Sequence, residues 1–242
     1  MSGHSKWNNI QARKGKQDAA RGKLFTKLGR EISVAVKQGG PDPDGNATLA
    51  AAISKAKANN MPNDTIKNAI KKASGEGNTD NYEEILYEGY GKFGVALVVE
   101  AMTDNKNRTA GEVRHAFDRN GGNLGTTGSV TYMFNKKGQI IIAKENLAYS
   151  DDEVMEIVIE AGAEDMKVED EYLEVICEPR DFANILKALE EKGIKMEQAE
   201  IVQLAETKIS LTEEQYAKIE NLVEKLEELD DVQNVCHNAE EE

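Results

Sequence analysis

The apolar periodicity of this chain changes once, and the change fixes how the chain must be divided. Up to residue 75 the apolar residues recur at helical spacing. The spacing predicts a helix over 18–38, with Leu24, Phe25, Leu28, Ile32 and Val36 on one side. Gly39, Gly40, Pro41 and Pro43 end it. A second helix is expected over 46–58, with Leu49, Ala52, Ile53 and Ala56 inward. A third is expected over 63–73, where Ile66 and Ile70 form a short stripe and Lys67 and Lys71 share another face. Short amphipathic helices cannot each bury a face alone, so a small bundle follows. The run SGEGNTDN at 74–81 reads as a linker.

Beyond the linker, strands alternate with helices. Strands are expected over 95–101 and 129–134, the latter placing Val130, Tyr132 and Phe134 on one face, with a helix over 107–120 between them. A second set begins at 139–143. Ser150 and Glu153 form a capping box for a helix carrying Val154, Ile157, Val158 and Ala161. Strands at 164–168 and 172–177 follow, then a helix with Phe182, Ile185, Leu186 and Leu189, then a strand over 195–204. That order is βαββαβ, the ferredoxin-like unit. A strand at 208–211, a helix with Tyr216, Ile219, Val223 and Leu226, and a strand at 231–236 then complete the first set. The expected class is therefore α+β: an N-terminal helical bundle followed by two ferredoxin-like βαββαβ domains, one inserted in the other. The domains are 1–75, then 82–134 with 207–238, then the inserted 135–206.

Net charge is −14 over 242 residues, which argues against a polyanionic partner until it is divided. Residues 1–75 hold 14 Lys+Arg against 5 Asp+Glu, a balance of +9; the remainder holds 16 against 39, a balance of −23. Such asymmetry marks a segment specialised for a polyanion, and the acidic part would orient its docking. The candidate nucleic-acid contacts are Lys6, Trp7, Arg13, Lys14 and Lys16 of the N-terminal arm, with Lys23, Lys27, Arg30 and Lys37 on the helix side opposite the apolar stripe. Cations that neutralise phosphates release counterions and bind without reading sequence. Trp7, beside Lys6 in a polar context, suits stacking on a base. The plain structural alternative is a solvated lysine face with Trp7 packed back on the bundle.

A second candidate lies in TDNKNRTAGEVRHAFDRNGGNLGTTG, 103–128, where a strand meets a helix start. Asn107, Arg108 and Arg114 could contact a phosphate there. The glycines of 121–128 could let backbone N–H groups approach an anion, or could simply end the helix.

No catalytic site is legible. His4, His115 and His237 have no metal-ligand spacing, and nucleophile-elbow, H-E-x-x-H and CxxC patterns are missing. No catalytic residue, metal, cofactor or small-molecule substrate is expected. Cys177 and Cys236 read as reduced core thiols of a cytoplasmic protein, and no apolar run reaches bilayer length.

The blocks GHSKWNNIQARKGKQDAARGKLFTKLGREI (3–32), ILYEGYG (85–91), TDNKNRTAGEVRHAF (103–117) and GGNLGTTGSVTYMF (121–134) closely resemble those of the YebC/PmpR family. Residues 135–242 resemble it more loosely. The resemblance implies three domains and a regulator acting on promoter DNA. It also implies an alternative: a translation factor associated with the ribosome, binding ribosomal or transfer RNA and relieving stalling, like the related mitochondrial translational activator of cytochrome c oxidase. No presequence is visible ahead of the first block, which favours a cytosolic, bacterial-type form. The family supplies no catalytic residues to carry over.

Overall fold

A computed structural model describes residues 21–75 and 82–242. Three helices come first: α1 (Arg21–Gly39), α2 (Ala47–Ala58) and α3 (Asn63–Ser74). They form the expected bundle around Leu28, Ile32, Val36, Leu49, Ala56 and Ile66. Buried Asn46 sets the turn between α1 and α2. Its side-chain oxygen accepts from Leu49 N at 3.1 Å, capping α2, while its Nδ2 donates to Ala35 O and Gly40 O.

The first α+β domain has strands β1 (Glu83–Tyr90), β2 (Ala96–Thr103) and β3 (Asn123–Leu124), with helix α4 (Lys106–Arg119) between β2 and β3. Its last elements come from far along the chain: α7 (Glu213–Glu227) and β9 (Val232–His237). The sheet order is β3-β1-β2-β9, antiparallel throughout. Among the described residues, the bundle shares one compact unit with this domain, made of 21–75, 82–131 and 214–237.

The inserted domain builds a sheet from β4 (Phe134–Ala143), β5 (Asp165–Val168), β6 (Tyr172–Cys177) and β7 (Gln198–Ala205), with helices α5 (Asp151–Glu160) and α6 (Phe182–Glu191). Its order, β5-β6-β4-β7, is that of a ferredoxin-like unit, and the Ser150–Glu153 capping box forms as expected. Its core joins Ile140, Leu173 and Val175 of the sheet to Val154, Val158, Ile185 and Leu189 of the helices. β8 (Ile209–Leu211) pairs in parallel with β10 (Ala239–Glu241), and both belong to this second unit, which spans 132–213 and 238–242.

The α+β class holds, but three element assignments differ. First, 129–134 is not a strand: Thr131–Met133 is a 3-10 turn and the strand begins only at Phe134. The apparent alternation misleads because Val130 is fully buried while Tyr132 is 73% exposed. Second, 208–211 does not enter the first sheet, because it pairs with β10 instead. Third, β1 pairs with both β2 and β3, over residues where the sequence pattern predicts no strand. The first domain thus keeps the ferredoxin-like layout of strands with one strand supplied from the N-terminal side. β1 escapes detection because its pattern does not alternate: Leu86 and Tyr90 are exposed while Glu88 and Gly89 are buried.

Gly89 is where β1 meets β3 and α4. A Cβ there would lie 2.7 Å from Asn123 O and 2.8 Å from the Phe117 ring. Since the first neighbour is backbone of a paired strand, Gly89→Ala should cost about 1–3 kcal/mol of stability. A urea midpoint unchanged from wild type would show that β3 yields freely.

Candidate nucleic-acid interface

The arm residues Lys6, Trp7, Arg13, Lys14 and Lys16 lie outside the described residues. On α1, Lys23, Lys27 and Arg30 fall on one side, as the helical phase requires. That side is not turned to solvent alone: it meets the carboxyl-terminal end of α7. Lys27 Nζ donates to Glu227 O at 3.0 Å, Lys23 Nζ donates to Glu228 O, and Arg30 Nη1 donates to Asp230 O at 2.5 Å. Lys23 also pairs with the Asp230 carboxylate at 3.1 Å. The last carbonyls of a helix lack intrahelical partners and carry partial negative charge, so Lys27 caps α7 at Glu227 O, while Lys23 and Arg30 hold the turn that follows it, at Glu228 O and Asp230 O. Lys37, two turns beyond Arg30, is exposed.

Asp231, just past that end, is the centre of the contact. Its carboxylate is almost wholly buried and takes Arg30 at 2.9 Å, Arg108 at 2.6 Å, Thr103 Oγ1 at 3.0 Å and Thr109 Oγ1 at 2.7 Å. Its backbone oxygen accepts from Met102 N at 2.8 Å. Burial pushes this carboxyl upward, but the hydrogen bonds from Arg108, Thr109 and Thr103 and the Arg30 charge outweigh it and hold the group below its ordinary value. Arg30 also stacks over the Tyr82 ring, 5.2 Å from its centroid.

The two candidate regions of the sequence therefore converge on one carboxylate. Arg108 reaches Asp231 and also binds Asp104 at 2.9 Å. The start of α4 is closed by Asn105, whose side chain accepts from Arg108 N at 3.1 Å. Asn107 and Arg114 are exposed on α4, away from this cluster's hydrogen bonds among the described residues. The glycine-rich loop does cradle an anion, but the anion is the protein's own. The buried Glu88 carboxylate of β1 accepts from Gly128 N at 2.6 Å, Val130 N at 2.8 Å and Thr131 N at 2.8 Å. Burial raises the Glu88 carboxyl, yet these bonds hold it below its usual range.

Nothing in the local sequence distinguishes Asp231 or Glu88. Asp231 sits in a helix-ending ELDDV that resembles any acidic surface turn, and Glu88 sits in a strand without apolar alternation. Only contacts 128 and 40 residues distant along the chain distinguish them.

Lys27 pays for its position. Burial, with smaller contributions from Lys23 and Arg30 and opposed by Glu227, pulls its ammonium down from 10.5 to about 8. Between those two values the unfolded chain holds a proton that the folded one has lost, so Lys27 makes stability rise with pH across that interval. A 13Cε titration should find the Lys27 midpoint near 8; a midpoint at the ordinary 10.5 would mean that the ammonium stays hydrated.

Among the described residues, no group of three or more His, Cys, Asp or Glu side chains could hold a metal ion. None of the described helices is long and apolar enough to cross a membrane. Cys177 and Cys236 are both unbridged, and burial pushes the Cys177 thiol up to about 11.

A helical bundle and two α+β sheets, with paired charges rather than a catalytic cluster at the candidate site, are what the described residues present. The match to known families is direct: the TACO1/YebC N-terminal domain covers residues 5–76, and the TACO1/YebC second and third domain covers 82–239. The chain belongs to the TACO1/YebC family. It is 55% identical over 239 residues to a "Probable transcriptional regulatory protein" of Acetivibrio thermocellus, covering 98% of each chain. A protein of the same name from Enterococcus faecalis is 53% identical over 99% of each chain. A crystal structure of a conserved hypothetical protein from Aquifex aeolicus matches with a TM-score of 0.84 at 44% identity, covering 93% of this chain and 92% of that one.

Proposed function

We propose that this chain is a nucleic-acid-binding regulatory protein that acts on promoter DNA through its basic N-terminal segment. The observation that carries the reading is the charge split, +9 over residues 1–75 against −23 over the rest. A segment so polarised binds phosphates through counterion release, and the acidic remainder keeps the polyanion at one end. The names of the relatives support the regulatory part of the reading.

The contacts proposed are Lys6, Trp7, Arg13, Lys14 and Lys16 of the arm with Lys37 of α1, joined by Lys67 and Lys71 on the exposed side of α3. Asn107, Arg108 and Arg114 form a secondary phosphate contact, with Arg108 the least available because Asp231 holds it. Lys23, Lys27 and Arg30 remain in the proposed set only in a state where they leave α7. Changing those three to glutamate would set carboxylates against a helix C-terminus, so that variant would disturb domain docking as well as binding.

Changing Lys14, Lys16, Lys67 and Lys71 together to glutamate should lower affinity for a 30-base-pair duplex by roughly a hundredfold at moderate salt and flatten the salt slope. Unaltered affinity in fluorescence anisotropy would refute the assignment. The experiment that tests the function itself is crosslinking in cells followed by sequencing of the bound nucleic acid. Promoter fragments are expected; ribosomal or transfer RNA would move the reading to the translation-factor alternative.

A further inference from the structure

The basic row of α1 has two suitors, its own α7 terminus and the phosphates proposed above. Three of its four cations are engaged by the end of α7 and the turn after it: Lys27 with Glu227 O, Lys23 with Glu228 O and Asp230, and Arg30 with Asp230 O and Asp231. Every partner is a carbonyl or carboxylate oxygen, which is the chemistry a phosphate oxygen also offers. The contacts grade from firm to exchangeable. Arg30 is mostly buried, with its side chain 14% exposed, whereas Lys23 is 38% exposed and its partner Asp230 is 76% exposed. Lys27 is buried enough to lose part of its hold on a proton. The row therefore has an outer end that water and ligand reach and an inner end anchored on Asp231.

We infer that the α7 terminus is an intramolecular latch, which occupies the α1 cation row and must release Lys23 and Lys27 before a nucleic-acid backbone can bind there. This rests on the reading of the N-terminal segment as the nucleic-acid-binding part. The α1 row adds to binding only when the latch opens. Apparent affinity is then reduced by the fraction of molecules that are open, so weakening the latch tightens binding. The latch also gives specificity a physical means. A ligand able to displace α7 gains the row, while a short or poorly placed one does not.

The test uses the full chain with two fluorescent probes, a 30-base-pair duplex and a 30-nucleotide RNA. Glu227→Gln with Asp230→Asn removes two charges at the latch and leaves Asp231 intact. Glu156→Gln with Glu160→Gln removes two exposed charges on α5 and controls for net charge. The latch variant should bind about fivefold tighter than the control variant. In wild type, saturating probe should speed amide exchange over 228–232, where the α7 end frays once its cationic caps leave. Equal affinity of the two variants, or probe binding with 228–232 still protected, overturns the latch alone. If neither wild type nor the latch variant binds either probe, the nucleic-acid reading falls first and the latch falls with it. Tightening for one probe only identifies DNA or RNA as the polymer that opens it.

Discussion

Asp231→Ala is expected to lower stability by about 3–5 kcal/mol, the range found when one partner of a buried ion pair is removed. The loss is large because one carboxylate serves Arg30, Arg108, Thr103 and Thr109 at once. Without it the mostly buried Arg30 loses its carboxylate partner, Arg108 keeps only the Asp104 carboxylate, and two buried hydroxyls lose an acceptor. For a chain of this length that corresponds to a fall in melting temperature of roughly 10 °C. Adding Arg108→Met should recover part of the loss, since it removes the positive charge left beside Arg30; strict additivity of the two changes would show that they do not share a network. The pH dependence has a definite sign. The Asp231 carboxyl titrates below its ordinary 3.8 in the folded state, so its contribution is complete above that value and disappears as pH falls through the folded one. The stability gap between wild type and Asp231→Ala should thus be constant near neutral pH and close in acid. A gap that persists unchanged below the ordinary carboxyl range would reject the ion-pair account, as would a melting temperature equal to wild type.

Glu88→Ala should have the second largest effect, about 3–4 kcal/mol, and a local signature that Asp231→Ala lacks. Hydrogen bonds to a charged group contribute roughly 1.5–3 kcal/mol each, and three backbone N–H groups share this carboxylate. Their sum is tempered because the freed loop can turn some of those groups to water. The amides of Gly128, Val130 and Thr131 should lose exchange protection together, and buried Val130 should become accessible. Glu88→Gln should fall between, because its amide can accept from these donors but presents an NH2 to one of them. Loop amides that stay protected in Glu88→Ala would mean that the glycine turns hold the loop without the carboxylate. The acid behaviour runs in the same direction as for Asp231: the Glu88 contribution is present above its ordinary 4.5 and is lost as pH falls through its lower folded value.

These two carboxylates also mark where the sequence stops being informative. The bundle was legible because Leu28, Ile32 and Val36 repeat at helical spacing and all face one core. The inserted domain was legible because its strands alternate or run apolar, its helix has a capping box, and its glycines end helices. The first domain was harder. Its β1 strand carries a buried acid and a buried glycine where a pattern would place apolar residues, and Tyr132 and Phe134 suggested alternation where the chain makes a 3-10 turn. Local spacing marks a strand at 208–211 but not its partner, since a three-residue strand leaves pairing to whatever backbone lies alongside.

Local spacing by itself determined the bundle, the inserted ferredoxin-like unit, the α+β class and the concentration of positive charge before the linker. Those features depend on residues within a few positions of one another. Tertiary structure alone decided what the cations meet. Helical phase put Lys23, Lys27 and Arg30 on one face, but the partner of that face arrives from 200 residues away, at the end of α7. Fields between charges act through space, so a basic stripe and an acidic turn that look independent along the chain become one another's counter-ions once folding brings them within hydrogen-bonding distance.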